Sequence, residues 1–331
     1  MTKLIIQIPC YNEGETLSLA LAALPRDVPG VDHVEWLVID DGSADDTLAV
    51  ARQAGVDHVL RLPRHQGLAR AFVAGLEASL RAGADIIVNT DADNQYCADD
   101  IPKLIEPILR GEAEIVVGAR PIDHIKHFSP LKRLLQRVGS RATRLISQTD
   151  VQDAPSGFRA FSREAAMRMH VFNEYTYTIE TIIQAGQKGM AIVSVPIRIN
   201  EDLRPSRLMK SLPSYLSRQI LTMVRIFVTY KPFRFFASAG VLVFIVGLLI
   251  SVRFLYFYFT GNGAGHIQSL ILSALLMGTG FFLAVVGLVV DLISVNRQLL
   301  EILDWRMQKI EERVSDDSAA LTGPRTRDEA Q

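Results

Sequence analysis

Two long apolar runs in the last third of the sequence constrain its fold more than any other feature. Residues 235–258 are apolar except for Arg253, and residues 267–290 carry no charge at all. Each run is longer than the roughly 20 residues an α-helix needs to cross about 30 Å of hydrocarbon. Two such runs in tandem rarely share a water-soluble core, so the expectation is a transmembrane hairpin. Its turn would be Gly261-Asn262-Gly263-Ala264-Gly265-His266. Lys231, Arg234, Arg297 and Arg306 flank the outer ends, whereas the turn has neither Lys nor Arg. By the positive-inside rule both chain ends then face the cytoplasm. Arg253 stands near the far end of its run, where a long side chain reaches the headgroups.

These runs account for much of the 49% apolar share, and the first two hundred residues read as water-soluble protein. There, short β-branched runs at 4–8, 36–39, 58–62, 85–89, 114–117 and 191–197 alternate with helical stretches such as 44–54, 67–81 and 101–110. That alternation predicts an α/β fold with a mostly parallel sheet. The N-terminus starts a strand at Lys3 and shows no signal-sequence pattern, which keeps this domain in the cytosol. A net charge of -1 argues against a nucleic-acid partner. Cys10 and Cys97 have no metal-ligand spacing and are expected to be buried thiols in a reducing compartment.

The resulting organisation is a catalytic domain over 1–207, an amphipathic region over 208–232, a hairpin over 233–295 and a cytosolic end over 296–331. The spans lie at about 235–258 and 267–292. Within the amphipathic region, 215–230 reads equally as a packed surface helix or as one lying in the membrane interface. Residues 296–314 form an amphipathic helix, and 315–331 read as a disordered tail.

Polar clusters fall at strand ends, the edge where ligands sit in open α/β sheets. Asp91-Ala92-Asp93 follows Ile86-Ile87-Val88, and two carboxylates at i and i+2 can converge on one hard cation. Gln95 could add a third oxygen, and the cation would clamp a diphosphate. Short acidic loops more often cap helices, but two other clusters reach this edge. Asp40-Asp41-Gly42-Ser43 ends another apolar run. One of its carboxylates can accept from a base or ribose hydroxyl while Gly42 lets a ligand approach, or Ser43 or Asp45 can cap the next helix. Pro9-Cys10-Tyr11-Asn12-Glu13 is the third cluster.

Together these motifs resemble the family-2 glycosyltransferases of GT-A fold, and among them the polyprenyl-phosphate sugar transferases, including dolichol-phosphate mannose synthases. Val117-Gly118-Ala119-Arg120, Asp153-Ala154-Pro155-Ser156-Gly157-Phe158-Arg159 and Pro205-Ser206-Arg207-Leu208 extend the resemblance over residues 3–210. The resemblance implies that Pro9, Tyr11, Glu13 and Asp41 frame the base and ribose of a nucleotide-sugar donor. It implies that Asp91, Asp93 and Gln95 hold Mg²⁺ or Mn²⁺ against the diphosphate, with Arg207 beside it. Asp93 and Arg120 would be the catalytic groups. The acceptor, a polyprenyl phosphate in the bilayer, would meet Arg120 and the helix over 131–146. On that helix Ser140 fits the family's pattern, but Gln136 stands where the family has Arg, so Arg133 or Arg137 substitutes. A homo-oligomer, a tetramer, is also implied.

His65-Gln66-Gly67 reads as a helix entry more than as a donor contact, and Glu180 is either structural or orients the sugar. A processive polysaccharide synthase would need more spans and a Gln-x-x-Arg-Trp motif, neither of which is present. A nucleotidyltransferase would need a glycine-rich loop after the first strand. A non-catalytic sensor conflicts with the intact Asp91, Asp93 and Arg120. A phosphate acceptor is already anionic, so a single inverting displacement needs no strong general base.

Overall fold

The computed structural model describes residues 1–121, 139–141, 143–171, 177–200, 224, 228, 232–261 and 267–322. Internal packing divides the chain into two units, Met1–Tyr215 and Leu216–Gln331. The first is a seven-stranded sheet with helices, ordered β3-β2-β1-β4-β6-β5-β7. The strands are β1 (Lys3–Cys10), β2 (His33–Asp40), β3 (His58–Arg61), β4 (Ile86–Asn89), β5 (Ile115–Ala119), β6 (Arg159–Ser162) and β7 (Ile192–Pro196). All neighbouring pairs are parallel except the two made by β6.

The central strand shows why the sequence folds this way. From Leu4 to Cys10, β1 is buried on both faces, as expected of an apolar run covered by helices on either side. Alternate residues serve opposite layers. Leu4, Ile6 and Ile8 pack with Val38 and Val88 in one core cluster. Ile5 packs with Leu37, Ile39, Ile87 and Phe72 in the other. The helices of this unit include α1 (Leu17–Ala23), α2 (Thr47–Gln53), α3 (Leu68–Arg81), α4 (Ile101–Leu109), α5 (Arg163–Met167) and α6 (Thr178–Gln187). The mostly parallel α/β sheet is as the alternation predicts, but β6 is an addition. It is four residues long and opens on an arginine, so no hydrophobic period marks it.

The second unit contains two long helices, α7 (Pro232–Phe259) and α8 (Ile267–Thr322). Both are long and apolar enough to cross a membrane by length and composition, with an 18-residue stretch of mean hydropathy 2.6 in α7 and one of 2.2 in α8. Only 11% and 17% of these stretches are buried, so neither is the core helix of a soluble domain. The two backbones touch at Gly240 and Gly280, where a Cβ on either would come within 2.6 Å of the other's carbonyl oxygen. Ser273 Oγ adds a hydrogen bond to the Gly247 carbonyl at 2.8 Å. The Arg253 guanidinium lies 5.5 Å from the Phe257 ring centre, among Tyr256 and Tyr258 at the end of α7. One expectation is corrected here. Helix α8 runs unbroken to Thr322, so the stretch from Ser315 to there is helical rather than a disordered tail. The hairpin turn over 262–266, most of the amphipathic stretch 215–230 and residues 323–331 lie outside the described residues.

Candidate active site at the carboxyl edge of the sheet

Strand register brings the three polar clusters to one edge. Cys10 pairs with Asp40 across β1 and β2, and Gln7 pairs with Asn89 across β1 and β4, so all three loops leave the sheet on the same side. The first two loops are stitched together. Asn12 N–H donates to Ser43 Oγ at 2.9 Å, and Asn12 Oδ1 accepts from Ala44 N–H at 2.9 Å. Glu13 N–H donates to Thr47 Oγ1 at 2.8 Å. Asn12 makes this crossing with φ 53°, a left-handed conformation that asparagine tolerates. Neither cap candidate holds the N-cap position of α2, which is Asp46 without a side-chain cap bond; Asp45 accepts from Thr47 N–H at 3.1 Å, and Ser43 serves Asn12.

Asp41 is only 2% exposed, and its carboxylate organises the third loop of this corner. It accepts from Gln66 N–H at 2.7 Å and Gly67 N–H at 2.8 Å, and lies 2.8 Å from His65 Nδ1. A carboxylate has roughly four acceptor sites, so about one remains for a ligand. Gly42 has φ 71°, and a Cβ there would sit 2.7 Å from the backbone of Arg64 and His65. The close approach expected at Gly42 is therefore made by the chain's own backbone. His65 in turn stacks on Tyr11, centroids 3.8 Å apart and 24° from parallel, which gives His65 a place in the site that a helix-entry reading did not supply. Tyr11 is 40% exposed at this edge.

The Asp91 carboxyl is pushed up to about 7, first by burial and then by the neighbouring Asp93, with Glu13 adding and Arg120 opposing. The Cys10 thiol is raised well above its ordinary range by burial, then by Glu13, Asp40, Asp45 and Asp91. Burial is the larger cause of both shifts; the smaller cause they share is the charge of neighbouring carboxylates, which a cation would offset. Among the described residues no three His, Cys, Asp or Glu side chains converge on one point. Two carboxylates suffice for Mg²⁺ when substrate phosphates complete its shell. Asp91 and Asp93 thus fit a diphosphate-bound divalent ion. Asp93 also accepts from Gln95 N–H at 3.1 Å, which keeps Gln95 in the same turn. The Tyr96 phenol is raised by burial and then by the Asp91 charge, and its hydroxyl accepts from Gly157 N–H at 2.9 Å.

Arg120 follows β5 directly, with its side chain 9% exposed. Its Nε and Nη2 donate to Asp153 Oδ2 and Oδ1 at 2.7 and 3.1 Å, and its N–H to Oδ2 at 3.2 Å. Burial would lower the guanidinium, but Asp153, Tyr96 and Asp91 together outweigh it and hold the group above its ordinary value. Ser140 is 2% exposed, and its hydroxyl accepts from Ala154 N–H at 3.4 Å, beside that ion pair. Arg133, Arg137, Ser206 and Arg207 lie outside the described residues. Glu180 sits buried in the first turn of α6.

Several contributors had no role assigned from sequence. Asp153 and Arg159 were only marks of a motif. Arg159 is fully buried, and its guanidinium binds Ser156 O at 2.8 Å and Ala154 O at 2.7 Å, which shapes the loop that carries Asp153. Gln7 and Asn89 had a legible signal, being amides in otherwise apolar strands. They face each other, Gln7 Nε2 donating to Asn89 Oδ1 at 2.9 Å. Cys10 is buried as expected, whereas Cys97 is only half-buried.

The model of the family described as Glycosyl transferase family 2 matches residues 5–169. The UDP-N-acetylglucosamine--dolichyl-phosphate N-acetylglucosaminyltransferase of Methanococcus voltae is 31% identical over 58% of this chain and 83% of its own length. The polyprenol monophosphomannose synthase of Mycolicibacterium smegmatis is 28% identical, over 60% of this chain and 77% of its own. The undecaprenyl-phosphate mannosyltransferase of Micrococcus luteus is 29% identical, over 59% and 82%. Among solved structures, glucosyl-3-phosphoglycerate synthase from Mycobacterium tuberculosis in complex with phosphoglyceric acid superposes with TM-score 0.54 at 23% identity, covering 69% of this chain and 79% of that one. The same enzyme with Mg²⁺ and uridine-diphosphate gives TM-score 0.52 at 23% identity, over 67% and 79%. These two likenesses show a shared fold.

Proposed function

We propose that this chain, which belongs to glycosyl transferase family 2, moves a glycosyl group with inversion from a nucleoside-diphosphate sugar to a polyprenyl phosphate at the cytoplasmic face of a membrane. That it is a glycosyltransferase follows from the family. The acceptor class is supported by relatives whose names specify polyprenol, undecaprenyl-phosphate or dolichyl-phosphate. The observation that carries the reading is one buried constellation at the carboxyl edge. There Asp91 and Asp93 repel each other, and Arg120, held by Asp153, opposes their charge.

In this reading Pro9, Tyr11, Glu13 and Asp41 hold the base and ribose, with His65 packed on Tyr11. Asp91, Asp93 and Gln95 would hold Mg²⁺ or Mn²⁺, which when bound supplies positive charge to the leaving diphosphate. Arg207 meets the same diphosphate. Arg120 neutralises and orients the acceptor phosphate together with Ser140 and Arg133 or Arg137. That phosphate is anionic at neutral pH, so positioning and desolvation replace a strong base. The hairpin α7–α8 would span the bilayer with both chain ends in the cytoplasm.

The donor is the open term, and product analysis decides it. The purified protein is incubated with Mg²⁺, undecaprenyl phosphate and a panel of UDP- and GDP-sugars, and the lipid is read by mass spectrometry. One nucleotide class should give a lipid heavier by one sugar residue and retaining a single phosphate. A product gaining a second phosphate would mean sugar-phosphate transfer and would overturn the reading.

A further inference from the structure

Asn200 binds the successive carbonyls of Asn94, Gln95 and Tyr96, in the turn that follows Asp93. Its backbone N–H donates to the Gln95 carbonyl at 2.8 Å. Its side-chain Nδ2 donates to the Asn94 carbonyl at 2.9 Å and lies 3.3 Å from that of Tyr96. The turn needs such support, because Asn94 at its corner has φ 56°, a left-handed backbone that costs any residue with a side chain something. Gln95 N–H donates to Asp93 Oδ1 at 3.1 Å, which links the shape of this corner to the orientation of the Asp93 carboxylate. Asn200 is held in turn by its own neighbours. Ile199 makes an antiparallel bridge with Tyr96, and Cys97 N–H donates to the Arg198 carbonyl at 3.3 Å. The fully buried Asp100 carboxylate accepts from Arg198 N–H at 2.6 Å and from its Nε and Nη2 at 3.1 and 3.0 Å. Where this stretch begins, Ile197 N–H donates to the Ala119 carbonyl at 3.0 Å, just before Arg120.

We infer that Asn200 is a positioning residue, whose hold on the carbonyls of Asn94 and Gln95 keeps the Asp93–Gln95 turn in the form that presents Asp93 to a divalent cation. The inference rests on the metal role proposed above for Asp93. Without this clamp, Asn94 would relax toward the right-handed or extended backbone that residues with a side chain prefer. The Asp93 carboxylate would then spread over several orientations, and the cation would have to select one. That selection costs affinity, which is how groups behind a ligand tune a metal. Placement matters most for Mg²⁺, which demands a near-ideal octahedron, and less for Ca²⁺, whose shell is flexible. A tie that served folding alone would lower stability without sorting one cation from another. Because Ile197 is bonded to Ala119, the same short stretch also joins the Arg120 corner to the Asp93 corner.

The test measures Mn²⁺ binding to the full-length protein by electron paramagnetic resonance in the presence of UDP or GDP, with Mg²⁺ and Ca²⁺ as competitors. Asn200→Ala should weaken Mn²⁺ binding about tenfold, within the range seen when such supporting groups are removed. Mg²⁺ should lose at least as much, and Ca²⁺ distinctly less. Adding Asn94→Gly to that variant should return part of the loss, because glycine takes the left-handed corner without strain. Asn94→Ala leaves Asn200 in place and makes the corner costlier, so it should weaken Mn²⁺ in the same direction. Melting temperatures show that each variant is folded. Wild-type Mn²⁺ affinity in folded Asn200→Ala or folded Asn94→Ala would overturn the inference and leave the metal reading standing. So would an equal loss for Mg²⁺ and Ca²⁺ that Asn94→Gly does not restore. Absence of Mn²⁺ binding to the wild-type protein would overturn the metal reading and the inference with it.

Discussion

Asp93→Asn lowers glycosyl transfer by at least about a hundredfold, the scale of losing one electrostatic stabiliser of a leaving group. The same variant folds at least as well as the wild type. Asp91 stands near 7 because burial and then Asp93 disfavour its ionised form, so removing the Asp93 charge relieves a repulsion. The sign follows from linkage. A carboxyl raised in the folded state from an unfolded value of about 3.9 lends stability that is full below that value and lost as pH rises through about 7. Without metal the wild type therefore softens between about pH 4 and 7, and Asp93→Asn softens less. Mg²⁺ or Mn²⁺ should raise the melting temperature of the wild type at pH 8 and do so less at pH 5.5, where protons compete for Asp91. Full activity in excess EDTA, or an Asp93→Asn enzyme with wild-type turnover, would remove the cation from the mechanism.

Arg120→Lys should reduce transfer by about tenfold or more, expressed in the acceptor Michaelis constant or in turnover, while nucleotide affinity stays near the wild-type value. Lysine is the informative replacement because Arg120 is not a free arm. Its fork is seated on Asp153, 1% exposed, so Arg120→Ala would strand a buried carboxylate at a cost of about 3–5 kcal/mol. Such a loss of stability would mask any kinetic effect. Lys keeps the positive charge beside Asp153 but loses the double contact to it and the remaining guanidinium N–H donors that could reach a phosphate. Titrating polyprenyl phosphate against each variant, with melting temperatures alongside, separates the two effects. Unchanged acceptor kinetics in Arg120→Lys would move the acceptor phosphate elsewhere, and the helix over 131–146 would be the next place to look.

Much of this was legible in the chain because the signals were periodic or local. The runs that became β1, β4 and β5 are apolar but for Lys3, Gln7 and Asn89, and the loops that follow β1, β2 and β4 carry their acidic residues in plain view. The two long C-terminal helices were legible for the same reason, since each contains a long apolar run without charge. What stayed hidden depends on contacts between distant residues. Nothing local says that Arg159 is buried under α6, or that Asp41 spends its carboxylate on the backbone of residues 66 and 67. Tyr96 looks like any aromatic after an acidic loop until Gly157, 61 residues away, is seen to donate to it. β6 was missed because four residues with an arginine at the head have no period to read, and antiparallel insertion between β4 and β5 is a property of the whole sheet.

The central claim is transfer onto a lipid phosphate, and acceptor competition in a bilayer tests it most directly. The protein is reconstituted in liposomes with Mg²⁺ and its radiolabelled donor, then offered polyprenyl phosphate, the unphosphorylated polyprenol, or soluble 3-phosphoglycerate. Label should enter the organic phase with polyprenyl phosphate alone, and chelator should stop it. Label that follows 3-phosphoglycerate into the aqueous phase, or that reaches polyprenol as readily as its phosphate, would contradict the account.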